Sequence, residues 1–274
     1  MKGLVYTEDQ GFVIDGTKLS GVSSVRGNYS IPTQENLFLG YEGDPNLIQN
    51  APGRANFSFE KQMLTSDEEI TDLVTGSGFG GAVLYNNRKL AFNSGFLSSY
   101  SASFQVDEIP SSSISFDVYG DMGPNVVFSN TREQQGPFVP ASSGIMINCD
   151  GRQTNRVSSF SYSISLENKP AFKIGSFYPC EVLRMTPYRC NFAVNIEVDD
   201  YESRDLYSYI KTGIHEKNIE ISLSDKCDIN KKIIYNLSGA KLTSETLSAS
   251  TENSVTVSLS YSLSAHNPPS IRYI

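Results

Sequence analysis

The chain has 274 residues, of which 39% are hydrophobic and 19% are charged, and its formal net charge is −8. This composition is typical of a globular chain and argues against a disordered one. The sequence contains no run of about 18 apolar residues, so it predicts no transmembrane helix. The first residues are acidic where a cleaved signal peptide needs an apolar core, so we expect synthesis in a cytoplasm without export.

The start of the chain has the pattern of two short strands. Residues 11–16 are an apolar run that ends in a turn, and residues 144–151 are their expected counterpart. Val25, Tyr29 and Ile31 then alternate with polar residues, with Gly27 as a gap in the apolar positions. Such alternation predicts a strand with one face in a core and the other against water or a polar neighbour.

This opening stretch recurs later in the chain at one constant spacing, which we call the repeat spacing and which separates Val22 from Val157. The pairs of identical residues are Val22 and Val157, Ser23 and Ser158, Ser24 and Ser159, Gly40 and Gly175, Pro52 and Pro187, Arg54 and Arg189, Asn56 and Asn191, and Phe57 and Phe192. So many identities without a gap indicate a duplicated domain. A repeat of this length is too long for a solenoid or propeller unit.

The second copy shows the clearer strand pattern. Phe160, Tyr162, Ile164 and Leu166 alternate with serines. In both copies a stretch without periodicity follows, at residues 32–53 and 167–188, which predicts a long loop or arm. Loops of about 20 residues are uncommon in compact domains and are usually functional.

A short helix is expected after the next strand in each copy. In the first copy, Ser66 and Glu69 have the spacing of a capping box, and Gly76 closes the segment. The apolar positions on the two helical faces are Ile70, Leu73 and Val74 in the first copy and Leu206, Tyr209 and Ile210 in the second, which Gly213 closes.

The rest of each copy has the pattern of strands. The predicted strands are residues 57–60, 82–85, 100–106 and 114–118 in the first copy and residues 192–198, 219–224 and 255–263 in the second. The fold class is therefore mainly β, with two tandem antiparallel β-sandwich or barrel domains that each carry one short α-helix. We place the first domain at residues 1–120, a proline-punctuated linker at 121–143 and the second domain at 144–274.

The two halves differ in charge. Residues 1–143 carry 8 Lys and Arg against 16 Asp and Glu, whereas residues 144–274 carry 14 of each kind. An acidic chain is poorly suited to binding nucleic acid through its phosphates, because such binding needs clustered basic residues. The asymmetry is explained either by ordinary solvated surface or by two copies that have diverged in their surfaces.

No catalytic, cofactor-binding or metal-binding constellation emerges from the sequence, so we expect no cofactor and no enzymatic activity. The two histidines, His215 and His266, have no counterparts in the other copy. The glycine-rich run 76–81 lacks the lysine of a phosphate loop and predicts a flexible loop. The acidic pairs at 199–200 and 225–228 lack EF-hand spacing. Any functional site is therefore expected to be a surface.

The four cysteines all lie in the second half. They are Cys149, Cys180, Cys190 and Cys227, with no C-x-x-C spacing and no nearby histidine pair. In a reducing cytosol the expected state is the free thiol, and a disulfide or metal site is the less favoured alternative.

The repeated stretch resembles the tail-tube proteins of tailed bacteriophages. The residues that carry the resemblance are Gly21, Val22, Ser24, Val25, Glu35, Leu37, Phe38, Leu39, Gly40, Phe57, Phe59 and Glu60, with Phe172, Ile174 and Gly175 in the matching places of the second copy. They form an opening strand, a variable arm and an alternating strand that ends in an acid. The resemblance covers most of both copies through short motifs.

The resemblance implies a structural virion protein whose main partner is itself. Tube proteins of this kind join the inner sheets of six domains into one barrel, and their rings stack. A chain with two such domains would form a homotrimeric, pseudo-hexameric ring around a channel through which DNA passes without specific binding. Other tail proteins are the remaining expected partners, no membrane is involved, and the arms are expected to contact the next ring.

Two other readings remain open at this stage. The first is another tail or neck ring protein of the same fold, such as a terminator, a distal ring or a hub. The second is a pair of β-sandwiches that binds a glycan or a protein partner, for which the 15 tyrosines supply aromatic side chains.

Overall fold

The fold is described from a computed structural model. The residues it describes are 11–36, 46–49, 53–64, 74, 78–85, 88–127, 132–134, 136, 144–176, 178–198, 216–224, 232–249, 255–267 and 269–273.

Strands dominate the described part of the chain, which confirms the mainly β class. The strands are β1 (Gly11–Ile14), β2 (Thr17–Lys18), β3 (Val22–Ser30), β4 (Thr33–Asn36), β5 (Asn46–Gln49), β6 (Arg54–Gln62), β7 (Phe79–Tyr85), β8 (Arg88–Gln105), β9 (Ser111–Val118), β10 (Met122–Gly123), β11 (Arg132–Glu133), β12 (Gly144–Cys149), β13 (Arg152–Thr154), β14 (Val157–Ser165), β15 (Asn168–Phe172), β16 (Pro179–Arg184), β17 (Tyr188–Val198), β18 (Glu216–Ser224), β19 (Lys232–Ser248), β20 (Val255–Ala265) and β21 (Ser270–Tyr273).

The two predicted helices fall outside the described residues, except that Val74 has a helical backbone and is buried. The described part of the chain holds no helix of the length and apolar character needed to cross a membrane.

Eight strands form one continuous antiparallel layer, which we call the long sheet. Its order is β3–β6–β9–β8–β14–β17–β20–β19. The first four strands come from the first half of the chain and the last four from the second half. Strands such as β9 and β6 alternate between buried and more exposed residues, because one face of the sheet packs in a core and the other does not.

Shorter strands cover the buried face of the long sheet. In the first half their order is β10–β8–β7–β1–β2–β11, and in the second half it is β13–β12–β18–β19–β21. Strands β8 and β19 are long enough to take part in both layers. Phe12 on β1 stacks on Phe59 of the long sheet, with ring centroids 4.7 Å apart. Burying each such ring stabilises the fold by roughly 1.5–3 kcal/mol.

The repeated Val-Ser-Ser motif has a defined structural role in both halves. It forms a β-bulge at Val22/Ser24 in β3 and at Val157/Ser159 in β14. The bulged serine turns its hydroxyl back onto the neighbouring strand. Ser23 Oγ donates to the carbonyl of Glu60 at 3.2 Å, and Ser158 Oγ donates to that of Asn195 at 3.3 Å. A bulge leaves a backbone group without its ladder partner, which a nearby hydroxyl can satisfy.

The first hairpin is also repeated at the same spacing. Asp15 and Gly16 connect β1 to β2, and Asp150 and Gly151 connect β12 to β13. All four have positive φ, between 43° and 88°. This is the backbone of a two-residue type I′ turn, which favours Asp-Gly because both central residues are left-handed.

The missing periodicity predicted that the two arms are loops without regular structure. The structure shows instead that each arm contains paired strands. Strand β4 pairs with β5, and β15 pairs with β16, as separate two-stranded antiparallel sheets. The prediction of a flexible loop at the glycine-rich run 76–81 is also wrong in part, because β7 begins at Phe79. A Cβ on Gly81 would lie 2.5 Å from the Phe92 ring, so this glycine permits close packing and is not a hinge.

Part of the predicted linker is fixed to the first half. Met122 of β10 pairs with β8, and β11 pairs in parallel with β2. The buried Gln134 side chain accepts hydrogen bonds from the Ser20 N–H and from the ammonium of the fully buried Lys61. One apolar core runs through both halves, and the boundaries at 120 and 144 stay a prediction.

Candidate functional site: the long sheet and its two outer edges

The two halves of the chain meet edge to edge in the middle of the long sheet. We call this β8–β14 contact the internal junction. Its register places Ser101 opposite Ser163 and Ala102 opposite Tyr162. At one end the Leu166 N–H donates to the Ser98 carbonyl at 2.8 Å. Backbone pairing therefore continues across the boundary between the halves.

Aromatic packing reinforces the internal junction on its buried face. The rings of Phe104 and Phe160 stack with centroids 4.3 Å apart. The ring centroids of Tyr100 and Tyr162 are 6.1 Å apart, and the Tyr100 hydroxyl lies 3.0 Å from the Tyr235 hydroxyl. Burial, with a smaller contribution from Tyr100, holds the pKa of Tyr235 well above its usual range. The hydroxyls therefore stay neutral and can hydrogen-bond within the core.

The opposite face of the long sheet is covered by serines, and we call it the serine face. All of these side chains are half-buried or exposed. They are Ser58, Ser99, Ser101, Ser103, Ser111, Ser113, Ser115, Ser159, Ser161, Ser163, Ser165, Ser258, Ser260, Ser262 and Ser264. The registers align them in rows across the strands, for example Ser113, Ser101 and Ser163.

The middle of the serine face carries no charge. Strands β14 and β20 contain no Asp, Glu, Lys or Arg at all, and neither does the run 99–105 of β8. Charged residues lie toward the margins of the face, at Arg26, Arg54, Glu60, Asp117, Arg189, Glu197 and Lys241. A field of short hydroxyls can hydrogen-bond to passing groups but offers no cluster of cations to hold a phosphate backbone.

The first outer edge of the long sheet is β3. Among the described residues, β3 pairs only with β6 and leaves its other side open. Tyr29 is 52% exposed and Ile31 is 47% exposed. Their counterparts one repeat later, Ile164 and Leu166, are 1% and 4% exposed because the internal junction covers them. The same position in the repeat is thus buried where a neighbouring strand is present.

The second outer edge is the last part of β19, where residues 243–249 are all exposed. In the part of the chain that the structure describes, this run pairs only with β20. Leu247 is 54% exposed although it lies on the side of the sheet that elsewhere forms the core. Exposed strand edges with apolar side chains are templates for pairing with another chain.

The second arm contacts the first half of the same chain. The Asn168 side chain donates to the Leu97 carbonyl at 2.9 Å, and Arg184 Nη1 donates to the Val74 carbonyl at 2.7 Å. Burial lowers the pKa of Arg184. Tyr178 hydrogen-bonds to the Asp121 carboxylate, which raises the pKa of the tyrosine. These contacts show that an arm can attach to the neighbouring half of the sheet.

The residues considered for chemistry do not come together. His266 is exposed, while His215, Cys227 and the acidic pairs at 199–200 and 225–228 lie outside the described residues. Cys149 and Cys190 are buried free thiols, and Cys180 is an exposed one. Burial raises the pKa of Cys149 to about 11 and that of Cys190 to about 12. Within the described ranges, no group of acidic, histidine or cysteine side chains has the arrangement of a metal site.

Sequence reasoning missed the strand that supplies the second outer edge. Residues 238–249 contain few apolar side chains, so they carry almost no strand signal. The available signal is a local likeness to β8, since Leu97-Ser-Ser and Leu242-Thr-Ser both form a β-bulge at the same point of the sheet.

No family model matches the sequence, and no curated protein matches it. Among solved structures, the chain is similar to a chain in the cryo-EM structure of the anti-feeding prophage baseplate, 6-fold symmetrised. The two are 12% identical, the match covers 52% of this chain and 97% of that chain, and the TM-score is 0.32. At this TM-score the likeness carries no functional conclusion.

Proposed function

We propose that the chain is a structural virion protein, a duplicated subunit of a phage tail tube, with no enzymatic role. Two tube-like β-sandwich domains, within 1–120 and 144–274, would give a homotrimeric ring with pseudo-hexameric symmetry. The rings would stack around a channel for DNA ejection. The observation that carries this proposal is the internal junction, because two halves of one chain already join edge to edge as ring neighbours must.

The geometry of the long sheet is compatible with closure into a barrel. Each chain contributes four strands from each half and ends in the two outer edges described above. Three copies would give a barrel of about 24 strands, with roughly 40–50 Å between opposite backbones for the usual strand spacing and tilt. Barrels of roughly 16–18 strands already leave an aqueous channel. Closure would also remove both outer edges.

The serine face would line this channel. The middle of this face carries no charge in each chain, so DNA phosphates would meet hydroxyls there and not lysine or arginine clusters. The net charge of −8 lies in the first half of the chain and would further disfavour adhesion of DNA to the ring. These properties support passage of DNA without specific binding, in the virion tail, after synthesis in the host cytoplasm.

The experiment that tests the proposal is mass measurement of the purified protein combined with electron microscopy over a range of concentrations. We expect a trimer mass, open rings about as wide as the estimated barrel and, at high concentration, stacked tubes. A protein that stays monomeric at every concentration would overturn the proposal. Rings that never stack would favour a terminator, distal or hub ring of the same fold, and binding to a glycan array by monomers would favour the glycan-binding alternative.

A further inference from the structure

We infer that the two outer edges bind each other between copies in one register, with Asn28 of β3 opposite Thr246 of β19 in a second copy. The inference rests on the proposed ring and specifies its contact surface. It is obtained by transferring the register of the internal junction to the equivalent strands at the two ends of the sheet.

Strand β3 is equivalent to β14 at the repeat spacing. The two strands span Val22–Ser30 and Val157–Ser165, and each carries its β-bulge after the first valine. Asn28 therefore corresponds to Ser163, and Gly27 corresponds to Tyr162. The bulges fix this alignment because they mark the same backbone irregularity in both strands.

Strand β19 is equivalent to the last part of β8, again through a bulge. Pairing of β8 with β9 shifts between Leu97 and Ser99, and pairing of β19 with β20 shifts between Leu242 and Ser244. Counting on from these bulges, Thr246 corresponds to Ser101 and Leu247 corresponds to Ala102.

The register of the internal junction then gives the register between copies. Ser163 lies opposite Ser101, so Asn28 lies opposite Thr246 of the second copy. Tyr162 lies opposite Ala102, so Gly27 lies opposite Leu247 of the second copy.

The side chains at the two edges are complementary in size in this register. In the internal junction the large residue Tyr162 of β14 faces the small residue Ala102 of β8. Between copies the sizes are exchanged, because the small residue Gly27 of β3 faces the large residue Leu247 of β19. A Cβ on Gly27 would lie 2.6 Å from the Phe57 ring, so the packing of this ring requires a glycine at the edge. Directly opposed side chains of this kind are the unit of sheet stabilisation.

Other registers fit less well. A slip of two residues would place Tyr29 opposite Leu247, two large side chains, and would leave Gly27 opposite Ala249. A slip of one residue would join the core face of one copy to the serine face of the other. In the register of the internal junction a neighbouring strand covers the exposed Leu247 and Tyr29, with Gly27 opposite Leu247 and Glu245 opposite Tyr29.

A disulfide between copies tests the register. Hydrogen bonds at Leu166–Ser98 and at Val106–Ser158 make Ser163 and Ser101 a pair without mutual hydrogen bonds. Such pairs have Cα atoms about 4.5 Å apart, a separation that a disulfide can span. The test variant therefore carries Asn28→Cys and Thr246→Cys, in a background with Cys180→Ser and Cys227→Ser.

The matched control carries Ser30→Cys and Ser248→Cys in the same background. These residues lie on the same face of the same two strands, but the inferred register separates them by about 13 Å. With oxidised glutathione as the oxidant, we expect covalent dimers and trimers of the test variant on a non-reducing gel and only monomers of the control.

The outcomes separate this inference from the proposed ring. Trimeric rings that cross-link equally in both variants, or only in the control, would overturn the register and leave the ring intact. Cross-linking of the test variant into open chains, without closed trimers, would support the edge pairing and overturn the ring.

A second pair of variants tests the same surface without cysteines. Leu247→Arg places a charge opposite Gly27, and we expect it to weaken assembly at least about 10-fold while the monomer stays folded. Val127→Arg changes an apolar side chain that is even more exposed and that follows β10, which pairs with β8 and with neither outer edge, and we expect no change in assembly. Equal assembly of both variants would overturn the inference.

Discussion

The internal junction and the two outer edges are built from equivalent strands, but they differ in what covers them. At the junction, β8 and β14 bury Ala102, Tyr162 and Ile164 against each other. At the edges, the corresponding residues are Leu247, Gly27 and Tyr29, all of them exposed. Strand β3 keeps the alternation of apolar and polar residues seen in β14, so the exposure of Tyr29 reflects the open side of β3 among the described residues. Apolar exposure at both edges therefore supports the proposed pairing with a second copy.

The largest expected difference in the free energy of unfolding is between substitutions at Ala102 and at its counterpart Leu247. Ala102→Arg forces a charge without a partner into the internal junction and should lower the free energy of unfolding by about 3–5 kcal/mol. Leu247→Arg at the outer edge should change it by less than about 0.5 kcal/mol in the isolated chain. Urea unfolding of dilute protein measures both. Equal losses would show that the junction and the edge do not differ as described.

The hydrogen bond between the Tyr100 and Tyr235 hydroxyls connects the internal junction to β19. Its loss should therefore lower the free energy of unfolding. Tyr100→Phe should cost about 1–3 kcal/mol, because the fully buried Tyr235 hydroxyl loses its oxygen partner at 3.0 Å and keeps the weaker acceptor Met63 Sδ at 4.0 Å. The double variant with Tyr235→Phe should cost less than the sum of the two single variants. A double-mutant cycle of urea unfolding tests this, and strictly additive losses would contradict a direct interaction.

The arms allow a smaller comparison between a position that has a neighbour and one that does not. Asn168→Ala removes the hydrogen bond to the Leu97 carbonyl and should lower the free energy of unfolding by about 1 kcal/mol. Thr33→Ala changes the equivalent residue of the first arm, which is exposed, and should have an effect below about 0.5 kcal/mol. Thermal unfolding of the two variants tests this prediction. A larger loss of stability in the Thr33 variant than in the Asn168 variant would contradict the role given to the Asn168 hydrogen bond.

The smallest effect uses pH to probe the buried side of the sheet, where Cys190 lies opposite Ile164 of the junction strand. Burial raises the pKa of Cys190 to about 12 from its ordinary value of 9.0. Above pH 9 the unfolded chain loses the thiol proton first, so stability is constant below pH 9 and falls as pH rises from 9 toward 12. Between pH 8 and about pH 9.5 the loss should be about 0.8 kcal/mol for this thiol.

The measurement is the free energy of unfolding at several pH values in this range. Cys190→Ala should make the dependence on pH shallower without abolishing it, because burial also raises the pKa of the Cys149 thiol, to about 11. Cys180→Ala, at the exposed thiol of the second arm, should leave the dependence unchanged. An unchanged slope in the Cys190 variant would show that its thiol titrates alike in both states.

Much of the strand pattern could be predicted because it depends on local alternation. Phe160, Tyr162 and Ile164 identified β14, since a strand with one buried face needs apolar side chains at every second position. The arms and the last part of β19 could not be found in this way. Their strands are held by pairing with each other or with one neighbour, and their side chains carry little apolar signal.

The amino-acid sequence by itself determined the mainly β class, the constant spacing between equivalent segments and the Asp-Gly turns that both halves share. These features depend on side-chain alternation and on local backbone preference, which neighbours in the chain already specify. Only the tertiary structure decided that the halves join through β8 and β14, that the serines form one face and that β3 and β19 end the sheet. Strand neighbours and register are long-range properties, because any two alternating strands can pair until the packing of the whole core selects one arrangement.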